Sequence, residues 1–168
     1  MHSSNAAAQR RQRFDQYVAV YHQDMYRYAA WLSRDPVIAQ DVVQEALLRA
    51  WKSLDHLRDE GSAKQWLLTI VRRENARHFE RKRLETVDID NLTASQEALL
   101  GVEGNNELDE LRKAIYELDD DYREPLVLQV LMGYSTNEIA EQMGLKQGAV
   151  LTRLHRARAR LKDNMEQQ

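Results

Sequence analysis

Apolar residues near the start of the chain recur at intervals of three and four, the spacing of one face of an α-helix. This stripe comprises Phe14, Tyr17, Val18, Tyr21, Met25, Tyr28, Ala29 and Leu32. Similar stripes follow in several later segments, and the 168 residues include only six glycines and two prolines. So few turn-forming residues are not typical of a loop-rich β-protein. The sequence therefore predicts an all-α fold.

Two groups of helical segments are separated by a polar stretch. In the first group, Asp35-Pro36 begins a second helix, and a turn that contains Gly61 precedes a third. The polar stretch has only scattered aliphatic residues and reads as an interruption, with one short helical turn expected near residues 95–100. The predicted organisation is a disordered tail at 1–12, a small helical domain at 13–84, a flexible acidic linker at 85–106 and a second small helical domain at 107–168.

The second domain carries the pattern of a helix-turn-helix. Ser135 and Glu138 form a capping box, which predicts the start of a short helix that ends at Gly144. A further helix is expected from about Gln147, with Val150 and Leu154 facing inward. In this motif the second helix lies in the major groove of DNA.

The formal net charge of -3 conceals an uneven distribution. Residues 1–84 contain 15 Lys and Arg against 10 Asp and Glu, whereas residues 85–124 contain 13 acids against three bases. The cations cluster further, in runs at 72–83 and 153–162. One such run is equally consistent with a solvated helix face, but two runs around an acidic middle favour phosphate binding.

Several classes of function are excluded by what the chain lacks. It has no cysteine, so disulfides, thiolate-bound metals and thiol nucleophiles are ruled out. Its five histidines are scattered, and neither a phosphate-binding glycine loop nor a nucleophile elbow is present. No apolar run approaches the roughly 20 residues that span a bilayer, and no secretory signal is evident. We expect a cytoplasmic protein with no metal, cofactor, membrane insertion or enzymatic activity.

Four stretches resemble a sigma factor of the extracytoplasmic-function (ECF) type. Residues 41–51 are similar to the family's Asp-Leu-Val-Gln-Glu helix, and residues 66–70 with the basic run after them resemble its -10 helix. Residues 122–128 and 133–140 resemble the lead-in and first helix of its -35 helix-turn-helix, and residues 148–158 resemble the helix that follows. The resemblance implies a promoter-specificity subunit whose partners are core RNA polymerase, promoter DNA and an anti-sigma factor, in a stress or envelope response.

The resemblance also implies which residues bind core polymerase. The family's helix at this point docks on the polymerase clamp, which assigns Asp41, Gln44, Glu45 and Arg49 to core binding. Their spacing places all four on adjacent turns of one helix face. A solvated surface is the alternative for this face considered by itself.

Contacts with the -10 element are expected from the third helix and the turn before it. The residues assigned to it are Lys64, Arg72, Arg73, Asn75, Arg77, Arg81 and Arg83. Arg73 and Arg77 stand where the family usually has Asn and Asp, so this helix is more basic than its relatives. The turn over 57–64 is expected to receive a base that leaves the stack during melting. Trp66 is expected in the core, in register with Ile70.

Contacts with the -35 element are expected from the last helix. Its first residues point to base edges and later ones to phosphates; the base-edge set is Gln147, Leu151 and Thr152, and the phosphate set is Arg153, Arg156 and Arg158. Lys146, Ala149 and Leu151 replace the family's usual Ser, Thr and Lys. For Leu151 the alternative is packing against the preceding helix.

Two other functions compete with this interpretation. A free-standing helix-turn-helix regulator usually dimerises and carries a sensor domain with an apolar pocket, whereas this chain has a second basic helix in its first domain. An RNA-modifying enzyme would use the basic runs, but no catalytic constellation is present.

Overall fold

The computed structural model describes residues 2–85 and 106–167, and within these ranges the chain is helical with no strand. The predicted all-α fold is confirmed. The expected helical turn near 95–100 lies outside the described residues. The α-helices are α1 His2–Ser33, α2 Pro36–Ser53, α3 Ala63–Glu85, α4 Asn106–Tyr116, α5 Asp120–Val130, α6 Thr136–Met143 and α7 Gln147–Glu166, with short 3₁₀ turns at Leu54–His56 and Glu60–Ser62.

Helix α1 begins well before the predicted start of order. The disordered tail expected over residues 1–12 is wrong for the described part, because α1 is continuous from His2. Alanine, glutamine and arginine dominate residues 6–12, and all three are strong helix formers. Most of these side chains are exposed, so this part of the helix lacks the apolar periodicity on which the prediction relied.

The described residues form two compact units. The first contains residues 2–29 and 37–85, and the second contains 30–36 and 106–167. The core of the first unit is built by one face of each helix and by Leu54 and Leu57 between α2 and α3. The buried residues on its helices include Met25, Tyr28, Ala29, Ala39, Val42, Val43, Ala46, Ala50, Leu67, Leu68, Ile70 and Val71.

Trp66 does not lie in this core, contrary to the prediction. Its side chain is half-buried. The buried stripe of α3 runs through Ala63, Leu67, Val71 and Glu74, and Trp66 lies at the edge of that stripe. Spacing to Ile70 alone was insufficient, because Ile70 is buried whereas Trp66, one turn earlier, is only half-buried.

The second unit packs α4, α5 and α6 against α7. Ser135 Oγ accepts the amide of Glu138 at 3.2 Å, and Glu138 Oε2 accepts the amide of Ser135 at 2.7 Å, so the predicted capping box is confirmed. Gly144 ends α6 in the left-handed conformation with φ of 64°, which costs glycine little. Helices α6 and α7 are therefore the two helices of the predicted helix-turn-helix.

Buried Arg123 fixes the turn between α4 and α5. Its guanidinium donates to the carbonyls of Tyr116 at 3.1 Å and Leu118 at 2.9 Å, and it pairs with Asp120. These bonds satisfy carbonyls that the end of α4 leaves without helical partners. The turn is thus rigid where it supports α7.

Candidate nucleic-acid interface

One face of α2 is polar and exposed. Asp41, Gln44, Glu45 and Arg49 all lie on it, because the opposite face of the helix is buried in the first unit. Beside this face, α1 and α2 form an apolar groove of about 540 Å³, lined by Phe14, Leu47, Leu48 and Trp51 among others and reaching Gln44. The surface therefore combines charge with apolar area, as docking surfaces do.

A buried carboxylate lies between α2 and α3. Glu74 is only 4% exposed, and its Oε1 pairs with Arg49 Nε of α2 and, at 2.8 Å, with Arg77 Nη1 of α3. A carboxylate with so little water is stable only when paired. Arg49, expected at the polymerase, therefore also joins α2 to α3, and Arg77, expected at DNA, pairs with the same carboxylate within α3. Glu74 was not predicted as a structural residue, because a single acid in a basic run resembles a surface residue.

The other residues expected at the -10 element differ in exposure. Arg73, Arg81 and Arg83 are exposed, and Arg72 is half-buried. Lys64 Nζ lies 3.9 Å from Asp24 Oδ2 of α1. All the cations of this set, Lys64 included, thus lie on α3.

Asn75 is oriented differently from the expectation. Its Oδ1 is buried and has no hydrogen-bond partner among the described residues. The amide oxygen therefore faces the protein interior and not a base edge.

Residues 54–62, here termed the α2–α3 connection, include most of the turn expected to receive a base. Asp59 organises it: its carboxylate accepts the amide of Gly61 at 3.0 Å and the hydroxyl of Ser62 at 2.9 Å. Leu54 and Leu57 are buried, while the residues between and after them are mainly exposed. The connection is an ordered, polar segment at the start of α3.

Helix α7 exposes the residues expected at the -35 element. Its buried residues are Val150, Leu154 and Ala157, so the DNA-facing set lies on the other side; Gln147, Leu151, Thr152, Arg156 and Arg158 are exposed, and Arg153 is half-buried. Leu151 is 52% exposed, which rejects the alternative that it packs in the core.

Several polar side chains of α7 already have partners within the second unit. Arg153 Nη1 lies 3.3 Å from Asp121 Oδ1, and Arg158 donates to Gln129. Gln147 Nε2 donates to Thr136 Oγ1 at 3.1 Å, which ties α7 to the start of α6. Arg156 makes no hydrogen bond or ion pair with any residue that the structure describes.

The start of α7 lacks a side-chain cap. Lys146 is the N-cap residue, and its side chain makes no capping hydrogen bond. Lys146 stands where the family usually has Ser, so the hydroxyl that would cap this helix is absent. The first amides of α7 remain available to an anion.

Two kinds of feature are absent from the described ranges. No group of three or more His, Cys, Asp or Glu side chains there is placed to bind a metal ion. No helix in those ranges has the length and apolar character to cross a membrane.

Family comparisons match each half of the chain. The Sigma-70 region 2 model matches residues 17–85, and the Sigma-70, region 4 model matches residues 108–161. The first match ends with α3, and the second runs from the start of α4 through most of α7. Both candidate interfaces lie inside the matched segments.

Similar proteins span most of the chain. The ECF RNA polymerase sigma factor SigL of Mycobacterium tuberculosis is 34% identical over 156 residues, which cover 90% of this chain and 85% of SigL. The ECF RNA polymerase sigma factor EcfG of Rhodopseudomonas palustris is 33% identical and covers 80% and 75%. The solved complex of the sigma factor RpoE with the anti-sigma factor NepR from Bartonella quintana contains a chain with a TM-score of 0.73 and 27% identity, covering 92% of this chain and 98% of that one.

Two helical units, one of them a helix-turn-helix, define a DNA-binding protein of the transcription-initiation class. The chain belongs to the ECF family of RNA polymerase sigma factors, as the region 2 and region 4 matches and the relatives show. It is a promoter-specificity subunit that binds core RNA polymerase, recognises the -35 and -10 elements and directs initiation. A free-standing regulator is not favoured, because the first unit matches sigma region 2 and no sensor domain.

Proposed function

We propose that the first unit binds core polymerase through the polar face of α2. The observation that carries this assignment is the grouping of Asp41, Gln44, Glu45 and Arg49 on one exposed face beside an apolar groove. Charges on such a face steer the encounter and select the register of docking. The adjacent apolar area supplies the burial that a stable interface requires.

Charge reversal tests this surface. The D41K/E45K variant is expected to lose core affinity by at least tenfold, because like charges then face the partner's complementary surface. Its helical content is expected to stay unchanged, since both side chains are exposed. The matched control is D163K/E166K, two exposed acids near the end of α7. Equal core affinity of D41K/E45K and the control, measured by fluorescence titration, would contradict the assignment.

Promoter contacts are divided between α3 and α7 in this proposal. On α3 the exposed cations Arg73, Arg81 and Arg83 neutralise phosphates near the -10 element, with Lys64 and Arg72 beside them. Arg77 belongs to the same surface but keeps its ion pair with Glu74. On α7, Gln147, Leu151 and Thr152 meet base edges of the -35 element, and Arg153, Arg156 and Arg158 contact phosphates. Asn75 lies on the same helix as the α3 cations and completes their set, with its Oδ1 buried.

An anti-sigma factor regulates the protein in the same proposal. The similar RpoE chain was solved in complex with the anti-sigma factor NepR, and that likeness supports an inhibitor for this chain. An inhibitor that covers the α2 face competes directly with core polymerase. Adding the inhibitor candidate encoded beside this gene is expected to lower core binding of the wild type; core binding that is insensitive to it would argue against competition at this face.

The remaining assignments follow from this role. The protein acts in the cytoplasm, where polymerase and promoter DNA are found, and it uses no metal or cofactor. It has no catalytic activity of its own, since the chemistry of RNA synthesis belongs to the core enzyme.

A further inference from the structure

The first part of α1 lies outside the segment that matches sigma region 2. That match begins at residue 17, whereas α1 begins at His2. Two arginines from this additional part, Arg10 and Arg13, contact the end of α2 and the α2–α3 connection. All of these residues belong to the first unit.

Arg10 caps the end of α2. Its Nη2 donates to the carbonyl of Trp51, and its Nε lies 3.3 Å from Asp55 Oδ1. The guanidinium carbon also lies 4.2 Å from the centre of the Trp51 ring, and Phe14 packs edge-on against that ring at 5.2 Å. The last carbonyls of a helix lack helical partners and carry partial negative charge, so a cation there stabilises the end. The position at which α2 stops is therefore tied to α1.

Arg13 bonds the middle of the connection. Its Nη2 donates to the carbonyl of Leu57 at 2.9 Å, and its Nε donates to Tyr17 Oη at 3.1 Å. Its Nε also lies 3.7 Å from Glu60 Oε1. The hydrogen bond to Tyr17 raises the pKa of Arg13, so the side chain stays charged. One planar guanidinium thus joins α1 to both 3₁₀ turns.

These arginines support the connection and are only partly exposed to solvent. Their side chains are 28% and 31% exposed, and their donors are directed at carbonyls and side chains of the same unit. The connection that they brace contains exposed polar residues between buried Leu57 and buried Ala63. A loop that receives an extruded base must have its shape before the base arrives, because ordering it on binding costs affinity.

We propose that Arg10 and Arg13 are positioning residues for promoter melting, which fix the α2–α3 connection in the shape that receives an unstacked base of the -10 element. This inference rests on the proposed -10 contact of the first unit. The ligand is a single unpaired base of the DNA strand, and the cost of unstacking it is recovered only if the receiving loop is already ordered. The base itself contacts the connection, not the two arginines.

The test uses holoenzyme reconstituted from core polymerase and the full chain. Promoter opening is measured on a library in which each base of the -10 element is varied, together with core affinity and the -35 preference. The R10Q/R13Q variant is expected to lose about tenfold in discrimination at the extruded base, with the -35 preference unchanged. Its core affinity is measured separately, because Arg10 lies over the Trp51 ring of the apolar groove. The control R27Q removes an exposed cation from the same helix and is expected to match the wild type.

A second variant covers the case in which R10Q/R13Q does not fold. Arg13→Lys keeps the charge but has no fork to bond Leu57 and Tyr17 together, and it is expected to lose part of the same discrimination. Wild-type discrimination in a folded R10Q/R13Q or in Arg13→Lys would overturn the inference. A wild-type holoenzyme that opens no promoter would instead overturn the proposed -10 contact itself.

Discussion

Helices α3 and α7 both carry closely spaced arginines, but the partners of those arginines differ. On α3, Arg77 shares the buried carboxylate of Glu74 with Arg49. On α7, Arg153 and Arg160 pair with Asp121 and Asp119, whose side chains are 75% and 70% exposed. An arginine of α3 is thus paired with a carboxylate that is shielded from water, whereas the arginines of α7 are paired with carboxylates that are exposed to water.

This difference separates structural cations from exchangeable ones. An exposed ion pair contributes little to stability, so Arg153 exchanges Asp121 for a DNA phosphate at small cost. A buried carboxylate that loses its cations has no water to replace them, so Arg77 stays with Glu74. Clustered arginines in a sequence therefore overstate the number of cations available to DNA.

The largest effect is expected at Glu74. Glu74→Ala removes the charge that joins α2 and α3, and the free energy of unfolding of the first unit is expected to fall by about 2 kcal/mol, less than for a wholly buried pair because both arginines are partly exposed. Glu80→Ala, an exposed acid on the same helix, is the control, with a loss below about 0.5 kcal/mol. Denaturant unfolding of the full chain measures both. Equal losses of unfolding free energy in Glu74→Ala and Glu80→Ala would show that the arginines paired with Glu74 on α3 are no more structural than the exposed pairs of α7.

Arg156 gives the next effect, on DNA binding and not on stability. It is exposed and makes no ion pair within the described ranges, so Arg156→Ala is expected to weaken all -35 sequences about equally. The slope of log affinity against log salt is expected to flatten by about one unit. Titrations at several salt concentrations measure the slope. A loss confined to one -35 sequence would show that Arg156 contacts a base.

Leu151 tests base contact on the same helix. Leu151→Lys is expected to raise general DNA affinity and to relax the preference for one base pair by about 1 kcal/mol, because an apolar contact such as one with a thymine methyl is lost. Its folding stability is expected to stay the same, since Leu151 is 52% exposed. Selection on randomised -35 DNA measures the preference, and an unchanged preference in the folded variant would defeat the base contact.

The smallest effect is expected at Asp121. Asp121→Asn removes the hydrated partner of Arg153, and the free energy of unfolding is expected to change by less than about 0.5 kcal/mol. DNA affinity is expected to rise slightly, because Arg153 no longer has to leave an anion. A thermal melt measures the change in stability, and a DNA titration measures the change in affinity. A stability loss as large as that of Glu74→Ala would show that Arg153 of α7 is a structural cation, as Arg77 of α3 is.

Features that depend on local spacing were predicted from the sequence. The apolar stripe of α1, the start of α2 at Pro36, and the capping box at Ser135 each follow from residues a few positions apart, and local periodicity and capping determine them. The outward direction of the α2 face and of Leu151 followed in the same way, since a buried stripe fixes the opposite face.

Features that depend on contacts distant in sequence were not predicted. Arg10 contacts Asp55, 45 residues away, and Arg49 contacts Glu74 on another helix. The start of α1 has few apolar residues, and it is ordered by such distant contacts and by the helix propensity of its residues. Neither of these produces a periodic apolar stripe in the sequence. The orientation of the Asn75 side chain likewise depends on how α3 packs in the first unit, and the residues next to Asn75 in the sequence do not determine it.

The sharing of Glu74 by two arginines sets the order in which these three positions can change during evolution. Replacement of Arg49 or Arg77 alone leaves the carboxylate with one cation, so either single change costs less than half of the double change. A lineage therefore passes through a one-arginine intermediate at little cost to its stability margin. Loss of Glu74 first leaves two like charges side by side. In terms of stability alone, each cation is therefore easier to replace than the carboxylate that both of them bind.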